Sequence, residues 1–117
     1  MIDEWLKEIK EICDPESLGM ILVHNGIVRG TAKDGKPVKG MKLSYDKDAL
    51  KSCVTRLKKR EGIAAIRVWV NSGVLGIGDD IMYLLVAGRF RTDALPVLQE
   101  LLSIVKNEIV HEEELQP

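Results

Sequence analysis

The sequence is poor in several things, and each shortage narrows what the chain can be. No apolar run reaches the roughly 18 residues that a membrane span needs. The opening Met1-Ile2-Asp3-Glu4-Trp5 lacks the basic segment and apolar stretch of a secretory signal. Neither sign of charge is in excess: 17 Lys and Arg stand against 18 Asp and Glu, a formal net charge of −1. That excludes the broad basic surface of a general nucleic-acid binder, though not a local anion site. Cysteine is scarce. Cys13 and Cys53 are far apart, form no CxxC pair, and each falls in an apolar helical pattern. They read as small buried hydrophobes of a protein in a reducing, cytoplasmic compartment. With only His24 and His111 to add, no metal-ligand set emerges. No cofactor is expected, because Gly76-Ile77-Gly78 is too short for a nucleotide loop and no helix follows it. Internal repeats and linkers are absent, so residues 1–117 are expected to form a single domain. What remains is 45% apolar and 30% charged, the profile of a soluble globular protein with one core.

Periodicity predicts the elements. Ile2, Trp5, Leu6, Ile9 and Ile12 recur at helical spacing over 2–13, and Asp14-Pro15 stops them. Residues 18–28 read as a strand apolar enough to be buried on both faces. Residues 29–37, with two Gly, one Pro and mixed charge, read as an exposed loop. Met41, Leu43 and Tyr45 alternate with polar residues in a strand at 38–45. Asp46 is positioned to cap a helix over 47–60, whose stripe is Ala49, Leu50, Cys53, Val54 and Leu57 and whose other face is basic. A strand at 63–70, a hairpin-like connection over 71–79 and a strand at 81–87 follow. Thr92 or Asp93 is placed to cap a last helix over 94–107, and residues 109–114 suit an edge strand. The order predicts an α+β fold, helices flanking a mostly antiparallel sheet.

Some residues could carry chemistry. Arg29 follows the first strand, while Arg89 and Arg91 sit just before the last helix. Together with that helix's free N–H groups they suit a phosphate or carboxylate; the alternative is exposed loop arginines. Lys106 either complements the helix dipole or serves in proton transfer or nucleophilic attack. His24 reads as a core or interface histidine. The acidic run 112–114 reads as an exposed tail.

Four segments resemble, in order and spacing, the large subunit of molybdopterin synthase. Gly19-Met20-Ile21-Leu22-Val23-His24-Asn25-Gly26-Ile27-Val28-Arg29-Gly30 resembles its first core strand and G-x-V-R-G turn. Met41-Lys42-Leu43-Ser44-Tyr45 resembles the next strand, Gly73 to Asp80 its G-x-L-x-x-G-D/E segment, and Arg91-Thr92-Asp93-Ala94-Leu95 its last-helix start. The resemblance covers residues 18–114. It implies an α/β hammerhead fold, a homodimer, and a small ubiquitin-like sulfur-carrier subunit as partner. That carrier's C-terminal Gly-Gly thiocarboxylate would deliver sulfur twice to a pterin phosphate substrate, cyclic pyranopterin monophosphate. By the same resemblance Arg29 and Arg91 fall on anion-site arginines, expected to converge in one pocket with Arg89. Lys106 falls on the first of two active-site lysines.

The chain also departs from the family pattern. Val70-Asn71 stand where the family has His-Arg, Phe90 where it has His, and His24 where it has an aromatic residue. The second active-site lysine falls on Glu113, or on another Glu if the alignment shifts. A carboxylate there predicts sulfur transfer depressed by several orders of magnitude or absent, a wild type nearly inactive in this step. The alternative function is a non-catalytic relative that binds a carrier protein or a pterin-like anion.

Overall fold

The computed structural model describes residues 1–117 throughout. The elements are α1 (Ile2–Ile12), β1 (Met20–Ile27), β2 (Gly40–Tyr45), α2 (Lys47–Leu57), β3 (Ile63–Val70), β4 (Gly73–Gly76), β5 (Asp80–Gly88), α3 (Arg91–Ile104), a π turn (Val105–Ile109) and β6 (Val110–Leu115). The expected α+β architecture is present, but its strands divide into two sheets. One has the order β1-β5-β3 and the other β4-β2-β6, with every pairing antiparallel.

The first sheet is organised by β5. Its Leu84, Leu85, Val86 and Ala87 are wholly inaccessible to solvent. Alternation sends Leu84 and Val86 into the main core beneath α2 and α3, with Leu57, Val97 and Leu101. Leu85 and Ala87 pack on the other face against Ile9 of α1. The apolar stretch at 18–28, expected to be covered on both faces, is instead the edge strand β1. Val23 and Ile27 are 40% and 53% exposed there. An apolar run alone does not tell a central strand from an edge strand.

The connection at 71–79 does join β3 to its antiparallel neighbour β5, with Val70 opposite Met82, and within it β4 reaches out to pair with β2. Gly73 at φ +97° allows that departure. Two other expectations shift. The last helix begins at Arg91, so Pro96 lies inside it, and Phe90 caps it with no side-chain hydrogen bond. Thr92 and Asp93 are therefore not the cap. Asp93 instead accepts from Arg89 at 3.2 Å. Asp46 does cap α2, accepting from the Ala49 N–H at 3.0 Å.

The molecule is elongated and measures 51 × 25 × 23 Å. Its radius of gyration is 15.5 Å, against about 13 Å for a compact chain of this length. Leu84→Ala is expected to cost about 3–5 kcal/mol, because the void at a wholly buried site cannot be filled by solvent. Val74→Thr, at a position 73% exposed, should stay within about 0.5 kcal/mol. Denaturant unfolding of both variants checks the contrast.

Candidate functional site

Where the two sheets meet, a cleft of about 540 Å³ opens. Its floor is apolar and comes from both sheets: Val28, Met41, Ile81 and Met82, all buried. Residues 28–39 form one wall. They are folded back on themselves rather than loose: Ala32 N–H donates to Lys36 O at 2.8 Å and Val38 N–H to Gly30 O at 3.1 Å. Gly35 turns the chain at φ +85°. Lys39 N–H then donates to Leu115 O at 2.9 Å, tying this wall to β6. The turn presents Arg29, Thr31 and Lys33 to the cleft. Arg29 is oriented by its Nε, which donates to Thr31 O at 2.8 Å.

β1 places His24 and Gly26 at the cleft, on the face opposite α1. Lys106 enters from the π turn. Val105 and Ile109, 0% and 1% exposed, pin that turn to the core and leave Lys106 outward. A π turn holds one more residue than an α-helical turn, and such insertions recur where a side chain must be re-aimed.

β6 supplies the remaining wall, and its register decides which acidic residues belong to the site. Glu112 and Glu114 pair with Leu43 and Met41, whose side chains are buried, and both line the cleft. Glu113 pairs with the exposed Lys42 and faces away. Glu113, which the resemblance places at the second lysine's position, therefore points away from the cleft, while its two neighbours line it. The pleat alternates faces, so a shift of one moves the side chain across the sheet.

The cleft therefore holds three cations, Arg29, Lys33 and Lys106, and two carboxylates. None of the five forms an ion pair; the pairs in the molecule are Arg60–Glu100, Arg67–Glu8, Arg89–Asp93 and Arg89–Glu61. Burial, and secondarily the Lys106 charge, push the His24 imidazole below its usual value of 6.5. It is a neutral acceptor or donor at neutral pH. No cluster of potential metal ligands is present.

The other sequence candidates lie elsewhere. β1 and β5 run antiparallel with Met20 opposite Gly88 and Ile27 opposite Asp80. Arg29 follows one end of β1, whereas Arg89 and Arg91 lie beside the other, roughly 24 Å away by strand rise. Within one chain they do not converge, contrary to expectation. Arg89 is engaged by Asp93 and Glu61 and lies 5.0 Å from the Phe90 ring centre. Phe90 is 58% exposed, and Arg91 is exposed without an ion-pair partner. Asn71 is structural: its side-chain amide donates to Asp80 O at 3.0 Å and its side-chain oxygen accepts from Ser72 N–H at 2.8 Å. Lys33 and Thr31 escaped the sequence reading. Nothing in a Gly-, Pro- and charge-rich segment marks one lysine from its neighbours. Glu112 and Glu114 were legible in principle, since Met41 and Leu43 alternate and an edge strand must match that alternation.

Comparison with known proteins adds the following. The family model described as MoaE protein matches residues 3–108. An uncharacterized protein of Methanocaldococcus jannaschii is 30% identical over 110 residues, spanning 89% of this chain and 92% of that one. The structure of molybdopterin synthase from Staphylococcus aureus superposes with a TM-score of 0.77 at 19% identity, covering 95% of this chain and 84% of its own. The complex of subunits 1 and 2 of the molybdopterin-converting factor from Helicobacter pylori has a chain that superposes at 0.71 and 19% identity, covering 97% and 77%. At these identities the structural likeness establishes the fold.

Two outcomes test the cleft. Arg29→Ala and Lys106→Ala should each weaken binding of inorganic phosphate about tenfold, consistent with loss of one charge-assisted contact. Arg91→Ala should leave it unchanged, and added salt should weaken it throughout. Calorimetric titration of the four proteins decides this. The second outcome concerns pH. Because folding lowers the His24 pKa, the unfolded chain takes up that proton first as pH falls. The His24 contribution to stability is therefore flat well above 6.5 and declines as pH drops below it. Unfolding free energies at pH 7.5 and 5.5 should differ less in His24→Asn than in the wild type.

Proposed function

The chain belongs to the MoaE family, and we propose that it serves molybdenum cofactor biosynthesis as the large subunit of a molybdopterin synthase. In this reading it takes sulfur from the thiocarboxylate of a small ubiquitin-like carrier and transfers it to cyclic pyranopterin monophosphate. The observation that carries the reading is the convergence of Lys106, Arg29 and Lys33 on one apolar-floored cleft in a chain of this family. Transfer to a pterin phosphate needs an anion anchor, a proton-transfer group near the reacting carbon, and a site that sheds water. Arg29 and Lys33 suit the anchor, because cations on a closed turn hold a phosphate without a large ordering cost. Lys106 suits proton transfer, and the neutral His24 beside it is able to relay a proton.

A glycine-terminated tail suits such a cleft because it brings no side chains. The Helicobacter pylori complex, described as subunits 1 and 2 of a molybdopterin-converting factor, supports a small-subunit partner. A homodimer belongs to the same reading. Its support is the first sheet's face beside α1, where Val23 and the tilted Trp69–Tyr83 ring pair, centroids 5.2 Å apart, are left only partly covered. A cytoplasmic location fits two unpaired cysteines and the lack of any helix long and apolar enough to cross a membrane.

A second reading, a relative that binds carrier or pterin without turnover, is favoured by Glu112 and Glu114. A carboxylate about 4 Å from an anion costs roughly 1–4 kcal/mol at effective dielectrics of 80 to 20. Reconstitution with a thiocarboxylated carrier and the pterin substrate separates the two. We expect sulfur transfer by the wild type in a particle containing two copies of this chain. Lys106→Ala should slow it about a hundredfold or more, with carrier binding retained. Carrier binding by the wild type with no transfer would establish the second reading instead.

A further inference from the structure

The cleft's two carboxylates need an explanation that its three cations do not. A site built only for an anion gains nothing from Glu112 and Glu114 in its wall. None of the five charged groups forms an ion pair, so both carboxylates remain open to donors from a ligand. Charges of both signs, left unpaired around one apolar floor, match a ligand that itself has two unlike ends. The cations call for a phosphate. The carboxylates call for hydrogen-bond donors, and two adjacent N–H groups on a planar ring meet a carboxylate's two oxygens in the most favourable geometry. The buried floor of Val28, Met41, Ile81 and Met82 gives a flat ring apolar contact between those ends.

We propose that Glu112 and Glu114 form the specificity edge of the cleft, accepting the paired N–H donors of a 2-amino-4-oxo heterocycle whose phosphate lies toward Arg29 and Lys33. This rests on the synthase reading for the pterin itself and adds the residues that select the ring. The selection works by penalty. A ring with a carbonyl in place of the 2-amino group turns an acceptor toward the carboxylates and leaves them facing a lone pair. A phosphate ester without the ring leaves them unused.

Binding measurements with three probes test the assignment: a 6-(phosphooxymethyl)pterin, its 2-oxo lumazine counterpart and inorganic phosphate. The wild type should bind the pterin at least about tenfold more tightly than the lumazine. Glu112→Gln combined with Glu114→Gln should bring the two to near equality without weakening inorganic phosphate. Glu113→Gln, on the opposite face of the same strand, should leave the preference intact, and equal melting temperatures confirm that all variants fold. A wild type without ring preference overturns the proposal. So does a double variant that tightens all three probes in proportion, the signature of plain repulsion, or a preference that survives it. Ring preference without sulfur transfer in the reconstitution would overturn the synthase reading alone. Sulfur transfer without ring preference would overturn this proposal alone.

Discussion

Four consecutive residues of β5, Leu84 to Ala87, have no contact with solvent, so both faces of that strand must be covered. This constraint accounts for most of the architecture. One face requires α1, whose Ile9 sits on Leu85 and Ala87. The other requires α2 and α3 together with buried residues of the second sheet. β1 and β3 can be edge strands because β5 satisfies its own backbone between them. Helices and sheet of this size cannot also cover the whole of β1. Its outer positions stay open, and the molecule is long rather than round.

The cleft is a by-product of splitting the strands into two sheets. β4 leaves the first sheet at Gly73, β2 receives it, and β6 returns along the other edge of β2. The last link in that path is the π turn at 105–109. Its extra residue lets buried Val105 and Ile109 stay in the core while Lys106 points out. Beyond it, the pairing of β6 on β2 fixes Glu112 and Glu114 inward and Glu113 outward. Core packing thus reaches the chemistry through two steps of backbone geometry, with no direct contact between β5 and the charged groups required.

What could be read in the sequence follows from this hierarchy. Helical and strand periods report local burial, so α1, α2, β2, β3 and β5 were legible, as was the Asp46 cap. Strand order is not local. The apolar run from Leu18 to Val28 looks like a central strand, yet it lies at the edge, because nothing in its own residues says how many neighbours pair with it. For the same reason Arg29 and Arg91, both beside strand ends, gave no sign of being at opposite ends of the sheet. Among the site residues, Lys106 and Arg29 were legible from the ordered resemblance. Lys33 was not, since its place depends on the fold-back of residues 30–38. Glu113 was legible as an acidic position of the last strand but its facing was not, because the pairing of β6 on β2 decides which side of the sheet it takes.

The facing of the β6 side chains changes the meaning of the acidic strand. Read as a lost lysine, a glutamate in an anion site is damage, and its cost grows with every ångström by which it nears the phosphate. Read from the structure, the carboxylates stand on β6, a different element from the turn that carries Arg29 and Lys33, and no cation lies within ion-pair distance of them. Placement on different elements, with no ion pair formed, leaves both kinds of charge open to a ligand. The same placement limits the repulsion that a bound phosphate would meet, because Coulomb energy at high effective dielectric falls below about 1 kcal/mol within a few further ångströms. A glutamate where the resemblance expects a lysine is therefore compatible with an ordered binding cleft. On the proposed reading the acidic strand supplies the donor-reading edge, and the turn, the π-turn lysine and the apolar floor serve the rest of the ligand.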